Sequence, residues 1–212
     1  SIMLAGESQA LTVVDAQQRG TTIMVQADHC TVTGFTFTNC TIPYEDFDFS
    51  LAALLSDENK IHNNTFLLSK GEGRGQFSGL SITNGCYNEV FSNDFKDVSN
   101  NIRTVAIYFQ GVCSNNIVHE NLICGWYNGV EDSVESTTNT ISGNLIYNNG
   151  WGIHLYGSEE YILSNTLKTN AYHGISIMHG YGHHILGNII INNGFVNHSE
   201  NILGNGIFIY RN

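Results

Sequence analysis

Residues 139–157 read NTISGNLIYNNGWGIHLYG. Asn144 stands between Ile141 and Ile146, a polar side chain inside an apolar run. The same grammar returns in YILSNTLKTNAYHGISIMHG, residues 161–180, with Ile162, Asn165 and Leu167, then Gly174, Ile175 and Ile177. HILGNIIINNG supplies a third copy through Ile185, Asn188 and Ile190. A repeat this short cannot bury its apolar face alone, so it reads as one coil of a stacked solenoid.

Aligning outward from that stretch gives an asparagine column of Asn64, Asn93, Asn121, Asn144, Asn165 and Asn188. Three positions earlier stand Ile61, Val90, Val118, Ile141, Ile162 and Ile185; two positions later stand Phe66, Phe95, Ile123, Ile146, Leu167 and Ile190. VTGFTF keeps the apolar pair (Val32 and Phe37) and puts Phe35 in the asparagine slot. A second strand has its own pairs, Leu80/Ile82, Val105/Ile107, Ile153/Leu155, Ile175/Ile177 and Ile207/Ile209, most of them after a glycine. Alternation with period two is strand, and no ten-residue stripe at helical spacing competes with it. The asparagine is then intelligible. At a bend between strands the backbone leaves peptide groups unpaired, and an amide carries both the donor and the acceptor they need. Stacked at about 4.8 Å per coil, such amides bond to one another and to the turn. The column is structural and inward-facing, not catalytic.

Residues 117–194 carry the clearest copies, and weaker ones extend over about residues 11–210. With these repeats the chain resembles the right-handed parallel β-helix proteins of the pectate-lyase-like superfamily. More narrowly, it is similar to NosD-like and carbohydrate-binding or sugar-hydrolase β-helix domains. The resemblance implies an all-β, single-stranded parallel β-helix of seven to eight coils over residues 1–212, with an internal asparagine ladder. It specifies fold strongly and function weakly, since lyases, polygalacturonases, epimerases, tailspikes and adhesins share the coil.

Bulk composition narrows the partners. Eight Lys and Arg face nineteen Asp and Glu, a formal charge of −11. Nucleic acid is therefore a poor partner, because backbone binding needs a basic face. Five cysteines (Cys30, Cys40, Cys86, Cys113, Cys124) show no CxxC spacing, which argues against structural zinc and leaves at least one unpaired within the chain. Small buried solenoid cysteines are the simplest reading. No apolar run approaches the roughly 20 residues of a membrane span, and the opening residues show no signal-peptide pattern, so a cytosolic chain, an already processed one or a fragment is expected. The chain closes on GNGIFIYRN without a polar terminal coil. Solenoids need caps, so a larger parent chain or a homo-oligomer through the uncapped ends is expected.

Chemistry must sit outside an apolar interior. Insertions at 41–49, 68–77, 96–103 and 196–205 all fall before the second strand, forming a wall beside its outer face. Lys70, Arg74, Lys96 and Arg103, half of the basic residues, lie in them. By alternation one outward column runs Ser81, Ala106, Glu131, His154, Ser176, Phe208, and the next Thr83, Tyr108, Ser133, Tyr156, Met178, Tyr210. Glu131 and His154 then neighbour each other on consecutive coils, with a raised histidine pKa expected. An ordinary solvated cross-strand pair is the competing reading. Asp132 falls in an otherwise inward slot, for which a local bulge is expected over a buried carboxyl.

These residues point to sugar chemistry. The leading expectation is a lyase or epimerase on an acidic, uronate-containing glycan, outside the cell or on its surface. His154 or Tyr156 would abstract a proton, Glu131 would stand beside the base, and Arg103 would stabilise the developing charge. Lys70, Arg74, Tyr108, Trp126, Trp151 and His173 are the candidate substrate-binding residues. A glycosidase ranks second, because Glu131 with Asp132 or Glu135 places its carboxylates on opposed faces of a strand. A non-catalytic binding, adhesin or tail-fibre solenoid is the rival class. No cofactor is expected. HGYGHH (His179, His183, His184) lacks a converging ligand set. Calcium comes with the resemblance, but Glu45, Asp46 and Asp48 of YEDFDF match no calcium loop spacing.

Overall fold

A computed structural model describes residues 1–40, 49–69, 76–99, 103–194 and 204–210. Strands and turns make up the described chain, and three parallel sheets of eight strands each run along it. Each coil contributes one strand to each sheet. The first sheet stacks Val32, Ile61, Val90, Val118 and Ile141 in register. The second stacks Phe37, Phe66, Phe95, Ile123 and Ile146. The third stacks Leu80, Ile107, Val130, Ile153 and Ile175. These columns meet in a single interior core. The chain is an all-β parallel solenoid, as the repeat implied. No helix of the described residues is long and apolar enough to cross a membrane.

Asparagines line three corners, not one. At the first corner Asn121 N donates to Asn144 Oδ1 at 2.9 Å and Asn144 N donates to Asn165 Oδ1 at 2.9 Å. Phe35 fills the slot one coil before Asn64, as its alignment predicted, and its N–H donates to Asn64 Oδ1. A second ladder runs five residues upstream through Asn59, Asn88, Asn116 and Asn139. A third runs five residues downstream through Asn149, Asn170 and Asn193. In each corner the residue just before the asparagine takes the left-handed conformation: Ser92, Asn115 and Asn148 have φ of 53°, 56° and 54°. The bend is made there, and the asparagine that follows satisfies the peptide groups it exposes.

The glycine column at the head of the third sheet has a steric origin. A Cβ on Gly129 would lie 2.4 Å from Gly152 O, and one on Gly152 would lie 2.3 Å from Gly174 O. Here the backbone of one coil rests on the next. All five cysteines are free, with Cys30, Cys40 and Cys113 buried. Ile207 and Ile209 are exposed, because their strand ends its sheet and has one neighbour.

Candidate functional site

The third sheet presents Ile153 and Leu155 to the core and the residues between and after them to the outside. Register places Ala53, Ser81, Tyr108, Glu131, His154, Ser176 and Phe208 in one outward column. Glu131 and His154 are neighbours, as the sequence indicated. The alignment put Ala106 where Tyr108 stands. Ala106 is fully buried and lies against Gly79, at the tight corner that glycines occupy in other coils. The smallest side chains fill that corner, so the strand register begins two residues later than Thr104 suggested.

Rings cover this face. Trp151 stacks on His154 at 4.9 Å between centroids, and His154 lies 4.8 Å from Tyr156. Across coils Trp151 meets Tyr172 at 5.2 Å and His173 at 4.8 Å, while Tyr172 meets Tyr127 edge-on at 6.0 Å. His173 continues to Phe208 at 4.7 Å. Ring pairs at such spacings add about 0.5–1.5 kcal/mol each beyond the area they bury. The result is an aromatic strip running both along and across the coils.

Polar atoms sit within the strip. Asn128 Nδ2 donates to Glu131 Oε2 at 2.5 Å, which holds the carboxylate over its own strand. His154 is 8% exposed, and neither ring nitrogen has a hydrogen-bond partner. Asn128 Oδ1 and His173 Nε2 are likewise buried and unpaired. His173 Nδ1 accepts the N–H of Asn205 at 2.9 Å. Burial, with a smaller contribution from His173, pushes the His154 pKa down to about 4. The expected rise toward the imidazolium is therefore corrected. Desolvation disfavours the imidazolium, and His154 is neutral at pH 7.

Other candidate residues divide. Arg103 is exposed at the head of strand Thr104–Gln110, two coils from His154. Tyr156 is half-buried, and its N–H donates to Asp132 Oδ1 at 2.5 Å. Trp126 is corrected from a substrate contact to a core residue. It is 1% exposed inside the coil, and its backbone N–H donates to Asn149 Oδ1 at 3.0 Å, so it fills an asparagine slot. Lys96 lies in the second-sheet strand Asp94–Asp97 and pairs with Asp94, away from the inserted corner. Lys70, Arg74, Glu45, Asp46 and Asp48 lie outside the described residues.

Two interior acids extend the picture. Asp132 pairs in register with Phe109 and is 1% exposed, so the expected bulge gives way to a buried carboxyl in an apolar slot. Glu160 takes the place of an asparagine: its Oε2 accepts Asn139 N–H at 2.7 Å. Burial raises Asp132 to about 7 and Glu160 to about 8, and the Asp132 carboxyl reinforces the shift on Glu160. Sequence reading missed Glu160, although its position five residues before Asn165 was the available signal. No group of three or more metal-binding side chains converges among the described residues. His183 and His184 instead face Glu160 N and the ring of Tyr161.

A second aromatic row lies on the first sheet, where Phe91 stacks between His62 at 4.7 Å and His119 at 5.1 Å. Its polar neighbours are satisfied: Glu89 pairs with Lys60 at 2.9 Å and with His119 at 3.2 Å. That row behaves as an ordinary outer-sheet ladder.

Residues 2–159 match a family described as a protein of unknown function, DUF1565, which is associated with parallel β-helix proteins. The chain belongs to this family. No curated protein matches it. The family and the three-sheet solenoid fit a polysaccharide-related or a structural solenoid role.

Proposed function

We propose that the outer face of the third sheet binds a polysaccharide chain. The observation that carries this reading is the ring strip of Tyr127, Tyr172, Trp151, His154 and Tyr156. Aromatic faces give large apolar contact at little conformational cost, and a pyranose ring presents a matching C–H face. The sheet is rigid, and the strip spans the strands Asn128–Asp132, Trp151–Leu155 and His173–Ile177, so successive sugars can meet successive coils. Sequence insertions precede the strands of this sheet, and binding groups concentrate where loops flank a rigid scaffold.

Binding is better supported than proton abstraction. A general base must be reachable and close in pKa to the working pH. His154 has both nitrogens covered and a pKa near 4. Glu131 and Asp132 lie on opposite faces of one strand, so these two do not form a facing carboxylate pair for a glycosidase. Isothermal titration of the protein with a panel of soluble oligosaccharides tests the proposal. At least one should bind, and Trp151→Ala should weaken it about tenfold or more with the fold intact. Silence across the panel, or an unchanged affinity in Trp151→Ala, would leave a purely structural solenoid.

A further inference from the structure

Trp151 sits between two buried imidazoles. It stacks on His154 at 4.9 Å between centroids and meets His173 edge-on at 4.8 Å. Tyr156 lies 4.8 Å from the His154 ring, and Phe208 stacks on His173 at 4.7 Å. Both histidines are buried, whereas Trp151 and Tyr156 are half-exposed. The accessible rings of the strip therefore rest on covered ones.

The covered rings fit their places only without charge. Neither nitrogen of His154 has a hydrogen-bond partner, and an imidazolium carries an N–H on both. Protonation in place would bury a charge with two unpaired donors. His173 Nδ1 accepts the Asn205 N–H at 2.9 Å, so a proton on that nitrogen sets donor against donor. Burial lowers the pKa of both, that of His154 to about 4 from 6.5. Two neighbours attract a cation: the face of Trp151 and the Glu131 carboxylate, next to His154 in register. Neither hydrogen-bonds a His154 nitrogen. The remaining titratable neighbours do not oppose the change. Tyr156 and Tyr172 are raised further from acid, and Asp132, on the inner face, takes its proton near pH 7, before the histidines do. His179 stands beyond Tyr156 at 5.9 Å.

We infer that the strip is an acid-release device, in which protonation of His154 and His173 drives the imidazoles out of their stack, unseats Trp151 and discharges the bound glycan. The inference rests on the glycan-binding reading of the face and supplies its regulation. The sign follows from linkage. An imidazole turned out to water takes a proton at its ordinary pKa of 6.5, and the stacked one does so only near 4. As pH falls between these values the proton binds the opened face and not the closed one, so opening is favoured. From pH 7 to pH 4.5 this gap shifts the His154 opening equilibrium by at most about fiftyfold. Affinity falls with the closed, binding-competent fraction, so the same figure limits its loss.

The test titrates the wild-type protein with an oligosaccharide that binds at pH 7, in steps down to pH 4.5. Nuclear magnetic resonance of the ligand-free protein follows the tryptophan indole N–H and histidine ring signals over the same range. Affinity should fall by about threefold or more and recover on return to pH 7. The Trp151 indole signal should move with the titration of His154 and His173, while that of the core residue Trp126 stays. His154→Phe keeps a ring between Trp151 and Tyr156 that takes no proton. Whatever its affinity at pH 7, its loss toward pH 4.5 should be less than half the wild-type loss on a logarithmic scale. Wild-type affinity that holds to pH 4.5 overturns the device and leaves the glycan-binding face standing. A Trp151 signal that stays while the imidazoles titrate overturns it too, as does a folded His154→Phe with the wild-type profile. If His154→Phe does not fold, the wild-type affinity and indole signals decide. Silence of every oligosaccharide at pH 7 removes the glycan-binding reading, and the release with it.

Discussion

Asn139 donates its backbone N–H to Glu160 Oε2 at 2.7 Å, so a carboxyl completes the column that asparagines fill in the coils before it. Beside it Asp132 occupies a slot that Phe109 fills one coil earlier. Two acids thus share an interior built for amides and rings, and both hold their protons well above the usual carboxylate range.

That placement fixes the sign of a pH dependence. Both folded-state pKa values, about 7 and about 8, lie above the ordinary 3.8 and 4.5. The folded protein therefore binds more protons than the unfolded one between these limits, and stability falls as pH rises. The contribution is fully present below about pH 4 and is lost as pH passes through about 7 to 8. Thermal melts should fall from pH 7 to pH 9, above the range in which the buried His154 contributes with the opposite sign, and Glu160→Gln should flatten that slope while raising the melting temperature at pH 9. A wild-type curve that rises toward pH 9 would contradict the buried-acid account.

Asn144 is held from both sides. It accepts from Asn121 N and Nδ2 and donates through Nδ2 to Val118 O and Asn165 Oδ1. Asn144→Ala leaves these buried partners unmet and should cost about 1–3 kcal/mol in urea unfolding. Ligand affinity below the melting transition should be unchanged.

Gly152 has no room for a methyl group, since its Cβ would stand 2.3 Å from Gly174 O. Gly152→Ala should destabilise by about 1–3 kcal/mol through the backbone shift it forces. Gly143, at φ 63° with nothing nearer than 3.9 Å to a Cβ, should tolerate serine. Ser92 and Ser164 already occupy equivalent left-handed positions at φ 53° and 55°. Denaturation midpoints of the two variants separate the two uses of glycine.

Trp126 and Trp151 make a matched pair. Trp126→Ala empties a fully buried slot and should cost about 3–5 kcal/mol. Trp151→Ala, at the half-buried face, should cost less and act on binding. Chemical denaturation and titration of both variants check the division between core and site.

The sequence made the fold legible because each coil repeats one physical problem, a bend with unpaired peptide groups beside an apolar strand. The second and third ladders obeyed the same rule at a five-residue offset. They were obscured where Trp126 and Glu160 stand in asparagine slots. The outer face was legible in part: Glu131 and His154 do lie side by side. The charge state of His154 was not, because it depends on burial, and burial comes from rings such as Trp151 that alternation alone does not orient. Ala106 misled for a related reason, since a small side chain at a tight corner imitates an ordinary outward position.

Amide and aromatic chemical-shift mapping with a bound oligosaccharide tests the central claim most directly, because the molecule carries two aromatic rows on different sheets. The account predicts perturbations at Tyr127, Trp151, His154, Tyr156 and Tyr172. Perturbations centred on His62, Phe91 and His119 of the first sheet, with the third sheet unmoved, would contradict it.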